Sequence, residues 1–309
     1  MLARITAIAH TTFREAARDR VPLGLFGAGL AAGLTSLLVA AMSLGRDRAE
    51  VVGVLTSASI SLFSVVGAIV LGASLLYKDL ERKTAYPILA RPIHRHELVV
   101  GKHFGLVATV ATFACLDGAL SLSLTALQRE EPLGARALAP WLVIAVIGAV
   151  VLFRARDRST PFLVLAPLLL ALEAVTVGPL GQMRRLILVS VGLSIVEAAL
   201  VAAVALVFGA FSSPFLTAAL TTGVTLIGRN ADLLAKLPEK TFGPTLVAAG
   251  RAMARIVPNL HINVPPRLVV LGELTSMWAF FGQAVLYGVV YVALLLVLSS
   301  LIFRRRDFA

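Results

Sequence analysis

Eight apolar stretches of 15 to 26 residues run through the chain, at 22–44, 58–77, 103–127, 139–153, 161–178, 186–208, 212–228 and 278–303. Hydrocarbon offers no partner to an open backbone amide, so runs near 20 apolar residues are read as membrane-crossing helices. Composition agrees: the 309 residues are 58% apolar and only 15% charged, against about 45–50% and about 25% in soluble domains. No soluble fold of this length buries so much apolar surface under so few charges. The sequence therefore predicts an all-α polytopic membrane protein. The run 186–228 is too long for one helix and breaks at Gly209-Ala-Phe-Ser-Ser-Pro214. Stretch 139–153, bounded by Pro140 and Arg154, is the shortest and reads either as a span or as a tilted or re-entrant half-span. A single cysteine, Cys115, excludes an intrachain disulfide and a multi-thiolate metal centre.

The net charge of +11 takes its meaning from this frame. With eight crossings and an inner N-terminus, 16 of the 28 Lys+Arg fall on the inner segments 1–21, 78–102, 154–160, 209–211 and 304–309. The short outer segments 45–57, 128–138 and 179–185 carry six, and the long outer loop 229–277 another six. Long loops constrain topology weakly, so the short segments place both termini in the cytoplasm. Nucleic acid is not needed to explain the basicity. Ahead of the first span, Ile5, Ile8 and Thr12 share one helical side among Arg4, Arg14, Arg18 and Arg20, the pattern of an amphipathic helix at the membrane surface.

The segment 78–102 is longer than a tight turn needs. Leu80, Thr84 and Ile88 fall at i, i+4, i+8 beside Glu81, Arg82 and Lys83, and Pro87 and Pro92 divide it. A short, charged, kinked element tied to two spans suits a cytosolic partner that pushes on it, and it also suits a solvated basic loop that only enforces topology. The chain has no nucleotide site of its own. A P-loop needs G-x-x-x-x-G-K-[ST], and around Gly101-Lys102 the first glycine is His96 and the hydroxyl residue is His103. His94, His96 and His103 are crowded by Arg95 and Lys102 with only Glu97 as carboxylate, so they are expected to be solvated loop histidines and no metal site is expected.

These residues resemble the membrane subunit of type-2 ABC exporters. Glu81-x-x-Thr84, then Pro92-Ile93-x-Arg95 and Gly101-Lys102 at the head of the next span, stand in the order of that family's motifs. So do the amphipathic N-terminal segment, Phe211-Ser212-Ser213, Ile227-Gly228 and the terminal Ile302-Phe303-Arg304-Arg305-Arg306-Asp307-Phe308. The resemblance covers most of the chain outside about 129–183. It implies a single transmembrane domain over 1–309: a six-span permease core, an interfacial helix at 1–21 and an inserted two-segment hairpin at 129–183, about eight spans in all. It implies a homodimer bound to a separate ATPase subunit that carries ATP and magnesium, and no catalytic residue, cofactor or metal in this chain. Residence in a bacterial inner membrane and export follow from the same likeness. Coupling to the ATPase is assigned on that basis to Glu81, Thr84, Pro92, Arg95, Gly101 and Lys102. Two departures stand out, His94 in place of Ser or Thr and the extra Pro87.

Acidic residues inside apolar runs cost about 2.5–3.5 kcal/mol each on insertion scales and usually face a bundle interior or a polar path. Asp117, near Ser121 and Ser123, and Glu197, near Ser190 and Ser194, are the candidates for a translocation path; Glu173, in the insert, is a weaker one. The rival reading is a hydrogen-bonded carboxyl that fixes helix packing. Gly27-x-Gly29-x-x-x-Gly33 permits close helix approach, at a dimer seam or within the bundle. In the loop 229–277, Arg251 and Arg255 share a face of a short amphipathic helix expected to rest on the outer surface, either capping an exit path or packed as a re-entrant element. Two other functions fit the composition: an ATP-independent transporter or channel using Asp117 and Glu197, and a membrane scaffold of a larger assembly.

Overall fold

The protein is described by a computed structural model covering residues 1–43, 47–81, 94–129, 133–155, 157, 159–264 and 276–305, and among these residues there is no strand. The helices are α1 (Leu2–Arg18), α2 (Arg20–Met42), α3 (Arg48–Glu81), α4 (Arg95–Ala126), the one-turn α5 (Leu133–Arg136), α6 (Ala139–Arg154), α7 (Phe162–Thr176), α8 (Gln182–Gly209), α9 (Pro214–Arg229), the short α10 (Ala231–Ala235), α11 (Glu239–Ile256) and α12 (Met277–Arg305).

Six segments are long and apolar enough to cross a membrane: Arg20–Met42, Arg48–Leu75, Arg95–Ala126, Leu133–Arg154, Gln182–Gly209 and Met277–Arg304. Six, not eight, is therefore the number of full-length spans among the described residues. The stretch 139–153 gains length because α5 precedes it. The stretch 161–178 shrinks to the 15 residues of α7, bounded by Pro161 in front and by Gly178-Pro179 behind. The stretch 212–228 becomes the 16-residue α9, which ends on Arg229. Its start follows from local chemistry, since Pro214 occupies the first helical position and Ser213 Oγ accepts from the Leu216 N–H at 3.5 Å.

The centre of the bundle is α3 against α8. These two helices run parallel: Gly53 faces Met183 near one end, and Gly72 lies on Ala205 near the other. Leu106 and Val110 of α4 join Val65, Ala68, Leu200 and Val201 in the largest buried cluster. The helix α12 lines up beside α8, from Met277 and Ala284 beside Leu186 and Val189 to Phe303 beside Leu206. A small-residue face of α2 serves packing within the chain. Gly29 lies against the Asp117 carboxylate and Gly33 against Leu124, while Gly24 and Gly27 face open space.

The predicted N-terminal helix is present, and its predicted stripe is the face that docks. Ile5 and Thr12 are buried, and α1 lies in a groove on α4 formed by two glycines one turn apart. A Cβ on Gly101 would stand 2.7 Å from Ile8 Cβ, and one on Gly105 would stand 2.5 Å from the Ala9 carbonyl. Backbone therefore meets backbone, which small residues alone permit.

The helices α6 and α7 pack on each other, and the turn between them reaches α1. Asp157 makes ion pairs with Arg14 at 2.5 Å and Arg18 at 3.1 Å. It also accepts from the hydroxyls of Thr160 at 2.6 Å and Ser159 at 2.9 Å, and His10 Nε2 lies 3.1 Å from Thr160 Oγ1. The Thr160 and Ser159 hydrogen bonds, with the Arg14 charge, hold the Asp157 carboxyl well below the usual carboxylate range.

Two outcomes follow. Gly105→Leu should overpack the α1–α4 contact, at a cost of about 1–3 kcal/mol, and release α1 to limited proteolysis while the spans stay helical. Because its pKa is depressed in the folded chain, the stabilisation from Asp157 is complete above about pH 4 and declines as pH falls toward its lowered value. Thermal melts in detergent should accordingly show an acid-side loss of stability in the native chain that is smaller in Asp157→Asn.

Candidate functional site

Two groups of polar residues stand out against the apolar bundle, one buried midway along α8 and one gathered where α1, α3, α4 and α12 come together.

The first is built around Glu197. Its side chain is fully withdrawn from solvent. Arg229, the last residue of α9, clasps it with two bonds, Nε to Oε1 at 2.7 Å and Nη2 to Oε2 at 3.0 Å. Ser61 of α3 closes the triangle: its hydroxyl donates to Glu197 Oε2 at 3.0 Å and accepts from Arg229 Nη2 at 2.6 Å. A planar guanidinium matches a carboxylate in this fork geometry, and every bond in it is charge-assisted. The three groups tie α3, α8 and α9 together inside the bundle.

Glu197 lies midway along α8, so Arg229 stops α9 within the span. The chain then turns at Asn230, forms α10 and α11, and comes back. The Leu260 N–H donates to the Gly228 carbonyl at 3.0 Å, and Leu260 is buried in the cluster that contains Val65 and Ala198. Asn259 N–H donates to the Tyr287 hydroxyl of α12 at 2.7 Å. The returning chain thus packs on the bundle at Asn259 and Leu260; Pro265-Pro266 lies outside the described residues. The helix carrying Arg251 and Arg255 is α11, longer than a single surface turn. It is broken at Gly243, whose φ of 75° is open to glycine, and it packs through Val247 and Gly250 with α10 beneath it.

Asp117 occupies a different position from Glu197. It is buried against Gly29 of α2, and its Oδ2 has no hydrogen-bond partner among the described residues. Neither acid uses the serines suggested by sequence proximity. Ser121 pairs with Thr56 of α3. Ser123 accepts from Trp141 Nε1 at 2.9 Å. Ser194 donates back to the Ser190 carbonyl at 2.7 Å. Glu173 is buried beside Ser123 and Trp141, within the packing of α4, α6 and α7.

The second group contains the coupling candidates. Thr84 and Pro92 lie outside the described residues. Glu81 is the last residue of α3, and Arg95 is the first of α4. Arg95 Nη1 donates to the carbonyls of Phe303 at 2.9 Å and Arg304 at 3.0 Å, satisfying orphan acceptors at the end of α12. Gly101 is the floor under α1. Lys102 is buried and its Nζ donates to the Leu75 carbonyl of α3 at 3.1 Å. Glu97, noted in the sequence only as the carboxylate beside the histidines, is central here. Its carboxylate accepts from the His94 N–H at 3.1 Å, half of a capping box, and lies 3.7 Å from Arg4. His94 is thus the N-cap of α4. His94 and His96 stack with ring centroids 5.4 Å apart. His103, expected in solvent, is instead buried on α4.

The partners that sequence reasoning missed are Arg229 and Ser61. One signal was available: an apolar run too short to cross, ending on an arginine, next to a span carrying an unmatched glutamate. No family model matches the sequence, and no curated protein matches it either.

Glu197→Ala should leave Arg229 without a counter-charge and cost about 3 kcal/mol, the low end for a broken buried pair because Arg229 keeps 28% exposure. The double variant Glu197→Leu/Arg229→Leu should recover much of that loss in the same detergent melts.

Proposed function

We propose that this chain is the membrane-spanning permease subunit of an ATP-binding cassette transporter of the type-2 exporter kind. It works as a homodimer on a separate ATPase that binds ATP and magnesium. The carrying observation is the ordered set Glu81-x-x-Thr84, Pro92-Ile93-x-Arg95 and Gly101-Lys102 at the junction between α3 and α4.

The surroundings of that junction support the reading. Arg95 grips the end of α12, Lys102 reaches α3, and Gly101 seats α1. A displacement of the 78–102 segment is thereby passed to four helices at once, which is what a motor pushing from outside the membrane requires. The basic residues concentrated on the same set of segments support a cytoplasmic location for this end of the bundle and for both termini. A bacterial inner membrane and outward transport belong to the same proposal. The engagement of Glu197 by Arg229 weighs against its use as a free ion relay in an ATP-independent transporter, and gives it a structural part in the path.

The test is reconstitution with a P-loop ATPase encoded beside this chain. A stoichiometric complex should form, and Glu81→Gln should lower the stimulation of ATP hydrolysis by the permease several-fold without altering its melting. Arg95 is unsuited to this test because its removal also frees α12. Ion flux without an ATPase, or a large assembly without transport, would replace the proposal with one of its rivals.

A further inference from the structure

At the α1 end of the bundle a groove of about 710 Å³ opens between the start of α4 and the last turns of α12. This lies in the range of about 300–1,000 Å³ usual for ligand sites. Its two ends differ in chemistry. Toward the helix termini it is rimmed by His94, Arg95, His96 and Arg304, and deeper along the helices its walls are Val100, Leu296 and Val297.

The rim is basic. Glu97, the acid nearest in sequence, is turned inward to the His94 N–H and Arg4 and is 2% exposed. Arg304 is exposed, and no carboxylate among the described residues lies within ion-pair distance of it. The groove also opens sideways toward the surroundings of α12, where Val297 is 59% and Leu301 53% exposed. A soluble anion would use the rim and leave the apolar walls bare. A neutral amphiphile would use the walls and leave the rim unmatched.

We propose that this groove binds an anionic phospholipid from the leaflet at the α1 end. The phosphate sits on Arg304 and the imidazoles of His94 and His96, and an acyl chain lies along Val100, Leu296 and Val297. Arg95 bonds the α12 carbonyls at the same rim. The lipid joins α4 to α12 beside the Arg95 bonds, so the seating of α12 depends on headgroup charge. The assignment concerns the permease alone and stands whether or not an ATPase docks.

The full-length chain in mixed micelles of phosphatidylglycerol and phosphatidylcholine with matched acyl chains, read by native mass spectrometry, tests this. The native chain should retain one phosphatidylglycerol in clear preference to phosphatidylcholine. Arg304→Gln should lower that retention about fivefold, the equivalent of about 1 kcal/mol for one basic residue at 1.4 kcal/mol per decade. Ala293→Trp, which fills the apolar part, should abolish it with the rim intact. Circular dichroism and melting confirm that each variant is folded. Equal retention of the two lipids, or unchanged retention in Arg304→Gln, overturns the proposal. Retention lost in Arg304→Gln but kept in Ala293→Trp also overturns it, since the lipid would then be adsorbed at the surface and not held in the groove.

Discussion

A carboxylate withdrawn from water halfway along a spanning helix has to be answered from within the protein, and Glu197 is answered by Arg229. Much of the surrounding architecture follows from that bond. It fixes where α9 stops, because a guanidinium bound at that depth leaves the helix no room to continue as a span. It places the turn at Asn230, and with it the return of Leu260 to the Gly228 carbonyl. It also draws α3 into the pair through Ser61, where α3 packs on α8, the most buried of the spanning helices. A hydrophobic residue pair of similar volume would pack at least as well. What an ion pair adds is register: one depth and one rotation of α9 satisfy all the bonds at once.

The end of the bundle near α1 follows a different logic, in which α4 acts as a common surface. Its glycines receive α1, its first residue holds the end of α12, and its lysine reaches α3. The turn between α6 and α7 reaches the same place from the side, through Asp157 and the arginines of α1. Whatever moves here moves against several anchors: Arg95 and Lys102 hold backbone carbonyls, and α1 rests on the backbone at Gly101 and Gly105. Such an arrangement transmits displacement with little loss, which is the property the proposed permease would need.

The sequence made some of this legible and hid the rest for physical reasons. Periodicity exposed the docking stripe of α1, since Ile5, Ile8 and Thr12 are spaced for one face whatever that face meets. Apolar length found the long helices, and Gly209 to Pro214 marked the break before α9. Length failed at α7 and α9, because apolar content says that a segment belongs in hydrocarbon but not how far it crosses. The Glu197–Arg229 bond and the Asp157 clamp join residues 32 and 139 apart in the chain, distances at which local pattern carries no information. Of the residues proposed for coupling, Arg95, Gly101 and Lys102 are structural ties. A motif gives residue type and order; it does not give the neighbour each side chain touches.

The short α9 has a consequence for how the chain enters the membrane. Its 16 residues end in a charge, so on leaving the ribosome it cannot be held by lipid as an independent crossing. Its acceptor, however, has already been made: Ser61 and Glu197 both precede it in the order of synthesis. The segment therefore inserts against protein and not against lipid, after α3 and α8 are side by side. The last helix, α12, completes the bundle only once that docking has set the path of the returning chain. Order of emergence thus becomes part of the information that specifies the topology.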